Sequence, residues 1–240
     1  MKKQKIETAF SPALFSFHEN PEAVVVVTDI LRASSAIVTA FMNGVQRIIP
    51  VATLEEAKAY KEQGYMVAAE RDGIVRDFAD FGNSPYNFTT DRVHGNEIVY
   101  STTNGTHAIH LASSGYQVII GAYLNISALA DHIKSMGRDL VILCAGWKNR
   151  FNLEDTLFAG ALAELVLRDE RYDTICDATL GAMDLFNIAR DDMMGYIKKV
   201  AQHNRLKQKN LDDVIGYCHE WDRTTHIPVL EGQYLVRLAT

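Results

Sequence analysis

The stretch Val24-Val25-Val26-Val27-Thr28-Asp29-Ile30-Leu31-Arg32-Ala33-Ser34-Ser35 decides the fold class. Four β-branched residues in an unbroken run, without polar alternation, read as a strand buried on both faces. The run stops at Thr28-Asp29, and residues 31–42 then read as a helix closed by Asn43-Gly44. Working outward, strands are expected at 48–51, 66–69, 98–101, 118–120, 140–144 and 174–176. Helices are expected at 54–63, 106–113, 127–136 and 153–167. Strand and helix in alternation imply right-handed crossovers and an α/β fold, a mostly parallel sheet with helices on both faces. Residues 182–211 look helical, and the tail from Asp222 carries no readable period. No linker, repeat or low-complexity stretch divides residues 1–240, so a single domain is expected.

Composition narrows the function. The 240 residues are 48% hydrophobic and 22% charged, a balance that suits a soluble globular chain and not a disordered one. Lys and Arg total 24 against 30 Asp and Glu, a net charge of -6. Basic residues cluster only in Met1-Lys2-Lys3-Gln4-Lys5, read as a solvated end, so nucleic acid is not an expected partner. Cys144, Cys176 and Cys218 are widely spaced and form no C-x-x-C, which argues against a zinc clip or a disulfide framework. No apolar stretch has the length of a bilayer span and the start lacks a signal-peptide core, so a cytoplasmic protein with no membrane role is expected.

In open parallel sheets ligands bind where strands deliver their carboxyl ends. Dinucleotide, P-loop, nucleophile-elbow and zincin fingerprints are all missing there. Polar residues gather instead at four turns. Asp29, Arg32, Ser34 and Ser35 follow the first strand, and could hold a phosphate at a helix N-terminus or serve only as cap and surface. Ser101-Thr102-Thr103-Asn104-Gly105-Thr106 offers small hydroxyls and a close backbone approach, although a plain loop with a cap would look the same. Cys144 to Asp155 ends in Asn152-Leu153-Glu154-Asp155, where the acids are either dipole partners in a capping box or hard oxygens for Mg²⁺. Glu70-Arg71-Asp72-Gly73 is followed by Gly82-Asn83-Ser84-Pro85, a fixed turn in which Asn83 or Ser84 would cap a short helix. Arg71 would clamp a second anion or pair at the surface. His107 and His110 are assigned no catalytic part.

In this order the segments resemble the 2-phosphosulfolactate phosphatase family: Thr28 to Ser35, Ala69-Glu70-Arg71, Gly82 to Pro85, Thr102 to Thr106, Cys144-Ala145-Gly146, and Leu153-Glu154-Asp155 with Ala159-Gly160. Tyr217-Cys218 and Ile227-Pro228-Val229 resemble the family's tail. The resemblance implies a three-layer α/β/α fold with two topologically similar halves. It also implies a Mg²⁺-dependent hydrolysis of 2-phosphosulfolactate to 3-sulfolactate and phosphate. In methanogens that reaction serves coenzyme M biosynthesis, and relatives occur where the pathway does not. Two departures stand out, since Asp72 and Asn149 occupy places where the family often has glycine.

On this reading Asp29, Glu154 and Asp155 hold Mg²⁺ against the phosphoryl oxygens. Arg32, Ser34, Ser35 and the backbone from Thr102 through Thr103 and Asn104 to Gly105 stabilise the transferring group, with Asn83 and Ser84 beside it. Arg71 takes the sulfonate or carboxylate. The attacking group is a water on the metal or a carboxylate such as Asp29. The expected partner is a small phosphorylated organic acid, and a homodimer is the candidate assembly. Two rivals remain open from the residues. Cys144 to Arg150 spells C-x5-R, the pattern of a thiolate phosphatase, and a binder of organic anions without turnover would keep the same turns.

Overall fold

The computed structural model describes residues 3–239. Its strands in chain order are β1 (Gln4–Ala9), β2 (Val24–Thr28), β3 (Arg47–Pro50), β4 (Met66–Arg71), β5 (Ile74–Val75), β6 (Glu97–Ser101), β7 (Gln117–Ile120), β8 (Leu140–Cys144), β9 (Tyr172–Asp173), β10 (Pro228–Glu231) and β11 (Tyr234–Arg237). The helices are α1 (Ala33–Met42), α2 (Leu54–Glu62), α3 (Gly105–Ala112), α4 (Ile126–Met136), α5 (Leu153–Leu167), α6 (Asp177–Ala189), α7 (Met193–Ile197), α8 (Ala201–Lys207) and α9 (Ile215–Cys218). All strands join one 11-stranded sheet in the order β5-β4-β6-β3-β11-β10-β7-β2-β8-β1-β9.

The valine run is a central strand, parallel to β7 on one side and to β8 on the other. Its alternate side chains enter separate cores. Val24 and Val26 pack with Leu129 of α4 and Phe158 and Leu162 of α5, while Val25 and Val27 pack with Ala36 and Ile37 of α1 and Ala108 of α3. Two buried faces leave no position for a polar side chain, which is why the run does not alternate. Helices therefore cover both faces, and the fold is three-layered α/β/α. Two parallel blocks make up most of the sheet, β4-β6-β3 and β7-β2-β8-β1-β9, with the short β5 antiparallel at the β4 edge. The antiparallel hairpin β10–β11 joins them, with β11 on β3 and β10 on β7.

That hairpin is the tail in which no period was readable. Each of its strands has four residues, and it turns at Gly232, whose φ is 59°. The strand expected at 174–176 is corrected: β9 ends at Asp173, and Ile175 is 81% exposed. β-propensity misled there, because Thr174 turns its hydroxyl back to Ile6 O (2.8 Å) to lead the chain into α6. The helix expected over 182–211 begins earlier and is broken, by a 3-10 turn at Arg190–Asp192 and again before α8; Asp192 caps α7 through Gly195 N. At the N-terminus the expected solvated end is corrected as well. Met1 and Lys2 lie outside the described residues, but Gln4 and Lys5 open β1, which pairs with β8 and β9.

The Ala159-Gly160 pair has a packing reason. α5 is buried nearly all round, and a Cβ on Gly160 would stand 2.1 Å from Ala182 O on α6. Backbone cannot rotate away as a flexible side chain would. Gly160→Ala is expected to destabilise the fold by about 2 kcal/mol through overpacking, read as a lowered midpoint in urea. An unchanged midpoint would show that α5 and α6 part without cost.

Candidate active site

The turns after β2, β4, β6 and β8 meet at one end of the sheet, tied together by Asp155, Glu70 and Asn104. Asp155 Oδ1 accepts from Ile30 N (2.8 Å), and its Oδ2 accepts from Gly146 N (3.1 Å) and Asn152 Nδ2 (2.9 Å). It thus fastens the turn after β2 to the turn after β8. Gly146 is needed there, because its φ is 61° and a Cβ would meet Arg150 O at 2.3 Å. Glu70, at the end of β4, accepts from Thr103 N (2.9 Å) and Thr103 Oγ1 (3.2 Å) after β6. Asn104 Oδ1 accepts from Lys148 N (2.9 Å). Gly105 brings the start of α3 against α1 and Asp29, since a Cβ there would lie 2.7 Å from Ala33 Cβ and 3.1 Å from Asp29 Oδ2.

Four buried carboxylates result: Asp29, Glu70, Glu154 and Asp155. Burial, then the charges of Asp155 and Glu70, raise the Asp29 pKa well above the ordinary carboxylate range. Burial foremost pushes Glu154 up to about 7, with Asp29 adding, and Asp155 up to about 8, with Glu154 adding. Glu154 Oε1 accepts from Asn152 Nδ2 (3.0 Å), while its Oε2 is buried without a partner. An unpartnered oxygen on Glu154, beside Asp29 and Asp155 whose pKa values burial also raises, is offset by a proton or by a cation. Mg²⁺ is held by one or two carboxylates together with water and substrate phosphate, so Asp29 and Glu154 fit such an ion. Asp155 already carries three hydrogen bonds and fits better as the fastener between turns. Among the described residues, no three Asp, Glu, His or Cys side chains form a metal cluster by themselves.

Arg32 is 4% exposed, and its NH2 donates to Asn83 Oδ1 at 2.6 Å. A solvent-facing Arg32 is thereby excluded. Of the expected caps, Ser84 stands at the N-cap of the 3-10 turn Pro85–Phe88 and Asn152 at the N-cap of α5, neither with a side-chain cap hydrogen bond; Asn152 bridges Glu154 and Asp155 instead, and Asn83 positions Arg32. The hydroxyls divide by what they can still donate. Ser34 Oγ accepts from Asp29 N (3.1 Å) and Thr102 Oγ1 from Thr106 N (3.3 Å), so each keeps its proton to give. Ser35 gives its proton to Ile30 O (3.0 Å) and Thr103 to Glu70, so both act within the scaffold.

Arg71 is held against its own turn. NH1 donates to Glu70 O (2.7 Å), and NH2 to Ala52 O (3.2 Å) and Ser101 Oγ (3.0 Å). Cys144 is fully buried, and burial with the charge of Asp155 raises its thiol well above the ordinary range. Arg150 meanwhile is exposed, so the C-x5-R reading lacks both an accessible thiolate and an enclosed guanidinium. His107 and His110 are exposed. Sequence reasoning assigned no part to Glu70, Tyr100 or Arg205. The Tyr100 hydroxyl is buried without a partner within reach of the charges of Asp29 and Glu70, and burial raises its pKa so that it stays a neutral donor. Glu70 had a visible signal, an acid at the end of an apolar strand. Tyr100, inside a strand, had none.

Buried acids, a buried guanidinium and the first turns of α1, α3 and α5 at the carboxyl ends of parallel strands form the kind of α/β site in which small anions are bound. The family model of 2-phosphosulpholactate phosphatase matches residues 9–233. A probable 2-phosphosulfolactate phosphatase of Clostridium novyi is 33% identical over 227 residues, covering 93% of this chain and 96% of the relative. Another of that name from Thermotoga maritima is 35% identical over 214 residues, covering 88% and 91%. The chain belongs to the 2-phosphosulpholactate phosphatase family, whose members are phosphoric monoester hydrolases.

Proposed function

We propose that this chain hydrolyses 2-phosphosulfolactate to 3-sulfolactate and phosphate with Mg²⁺ as cofactor. The observation that carries the reading is Glu154 Oε2, a carboxylate oxygen buried without a partner in the same acid cluster as Asp29, with Arg32 beside it. Mg²⁺ held by Asp29 and Glu154 would supply Lewis-acid neutralisation of phosphoryl oxygens. Arg32, its fork aimed by Asn83, binds the transferring phosphoryl group and gains strength as charge shifts onto its oxygens. Ser34 and Thr102 donate the hydroxyl protons they retain, and the first turns of α1 and α3 add their positive ends. Asn152 keeps Glu154 and Asp155 oriented, and the burial of the cluster excludes bulk water from the reacting group.

Phosphate release from a panel of phosphorylated hydroxy acids tests the proposal. Release is expected from 2-phosphosulfolactate in preference to its carboxylate analogue, to vanish in EDTA and to return with added Mg²⁺. Full turnover in EDTA would remove the metal. Binding of sulfolactate in calorimetry with no phosphate released from any ester would instead favour a binder without turnover.

A further inference from the structure

Beside the acid cluster, between the turn after β8 and the start of α8, lies a cavity of about 260 Å³. Trp147, Phe151, Val200, Glu154 and Arg205 line it, so it shares a wall with the carboxylates through Glu154. Arg205 is half-buried, with its guanidinium carbon 4.3 Å from the centre of the Trp147 ring. Its Nε donates to Gln202 Oε1 at 2.6 Å, and the terminal NH1 and NH2 have no hydrogen-bond partner among the described residues.

The helix that carries Arg205 is fixed to both sides of the site. Gln202 Nε2 donates to Leu31 O (3.0 Å), in the turn that presents Arg32. Just past α8, Lys209 Nζ donates to Asp72 O, in the turn after Glu70. Arg205 sits between these two anchors. Stacking on an aromatic ring limits the motion of a guanidinium and strips part of its hydration, while leaving its planar edge free. A free edge of that kind matches a sulfonate or carboxylate through two parallel N–H donors. The apolar surfaces of Trp147, Phe151 and Val200 suit the short carbon link of a small acid.

We infer that Arg205, seated on Trp147 and aimed by Gln202, binds the second anionic group of the substrate, a sulfonate or carboxylate on the carbon skeleton, while Arg32 holds the phosphoryl group. This rests on the phosphatase reading above. It assigns to α8 the part expected of Arg71, whose NH1 and NH2 are held by two carbonyls and Ser101. Arg205 thus selects substrates that bear an anion beside the ester, and places a cation between that anion and Glu154.

Two measurements on wild type, Arg205→Met and Arg205→Lys test it. The first is the ratio of kcat/KM for 2-phosphosulfolactate to that for phenyl phosphate, which has no second anion. Arg205→Met should lower the ratio roughly tenfold or more, chiefly through KM, as loss of a charge-assisted hydrogen bond does. Arg205→Lys should restore part of it. A ratio that stays constant while both activities fall together would overturn the inference, because a structural role affects both esters alike. The second is calorimetric binding of 3-sulfolactate, which should weaken by a similar factor in Arg205→Met. Wild type that hydrolyses neither ester sinks the phosphatase reading alone, since this binding arm still decides the role of Arg205; equal affinity in wild type and Arg205→Met would refute it. Circular dichroism confirms that each variant is folded.

Discussion

Arg32→Lys is expected to lower kcat by at least tenfold, roughly 1.4 kcal/mol or more of barrier. The side chain is 4% exposed and held by Asn83 at 2.6 Å, in the turn fixed by Asp155 through Ile30 N. Lysine keeps the charge but replaces a planar fork of donors with a single point that cannot span two phosphoryl oxygens. It is also shorter and unable to donate along the same line to Asn83. A charge-assisted hydrogen bond contributes about 1.5–3 kcal/mol, so the expected loss lies within one such contact. If the contact tightens as charge develops in the transition state, kcat falls; if it served ground-state binding alone, KM would rise with kcat intact. Steady-state kinetics at saturating Mg²⁺ read the difference. Values of kcat and KM near wild type would remove Arg32 from the phosphoryl group.

Legibility in the sequence followed how local each signal was. The valine run disclosed the parallel sheet because two-sided burial removes alternation within four residues. The acids at 154 and 155 were visible as a pair, but only the structure separates them. Asp155 is turned to Ile30 and Gly146, whereas Glu154 leaves one oxygen open. Asn83 showed as a turn residue, and its service to Arg32 spans 51 positions of chain. The C-terminal hairpin was unreadable for the same reason, since β10 pairs with a strand that ends at Ile120. Arg205 lay in a stretch read simply as helix.

The two positions where the resemblance leads one to expect glycine also become physical. Asp72 and Asn149 have φ of 56° and 61°, in the left-handed region that glycine enters without strain and Asp or Asn enter at modest cost. Asp72 has a use there: its carboxylate stands 2.8 Å from Lys148 Nζ, and its N–H donates to Thr103 Oγ1. The loop after β4 is thereby tied to the loops after β6 and β8. Both charges are about half exposed, so the pair itself adds little stability. It is a link across the rim of the site between the loops after β4 and β8.

Glu154→Gln carries the largest expected effect. The substitution keeps shape and the contact with Asn152 but removes the charge that a hard cation requires. A fall in kcat of roughly a hundredfold is expected, with a raised Mg²⁺ requirement, comparable to disabling a metal site's own support. Stability should move the other way. Burial, with the charge of Asp29, lifts Glu154 to about 7, and burial, with the charge of Glu154, lifts Asp155 to about 8 in the folded chain. The metal-free folded protein therefore keeps protons that the unfolded chain gives up near the ordinary carboxylate pKa of about 4. Its stability must fall as pH rises from there through the folded values, and level off above them. Glutamine has no proton to lose, so the metal-free variant should lose less of its Tm between about pH 5 and pH 8 than wild type does. Mg²⁺ binds the ionised form, so in wild type it should raise Tm more at the upper end of that range, an effect the variant largely lacks. Thermal melts with and without Mg²⁺ give a reading independent of turnover. An unchanged Mg²⁺ dependence in both kinetics and melts would take Glu154 out of the metal's reach.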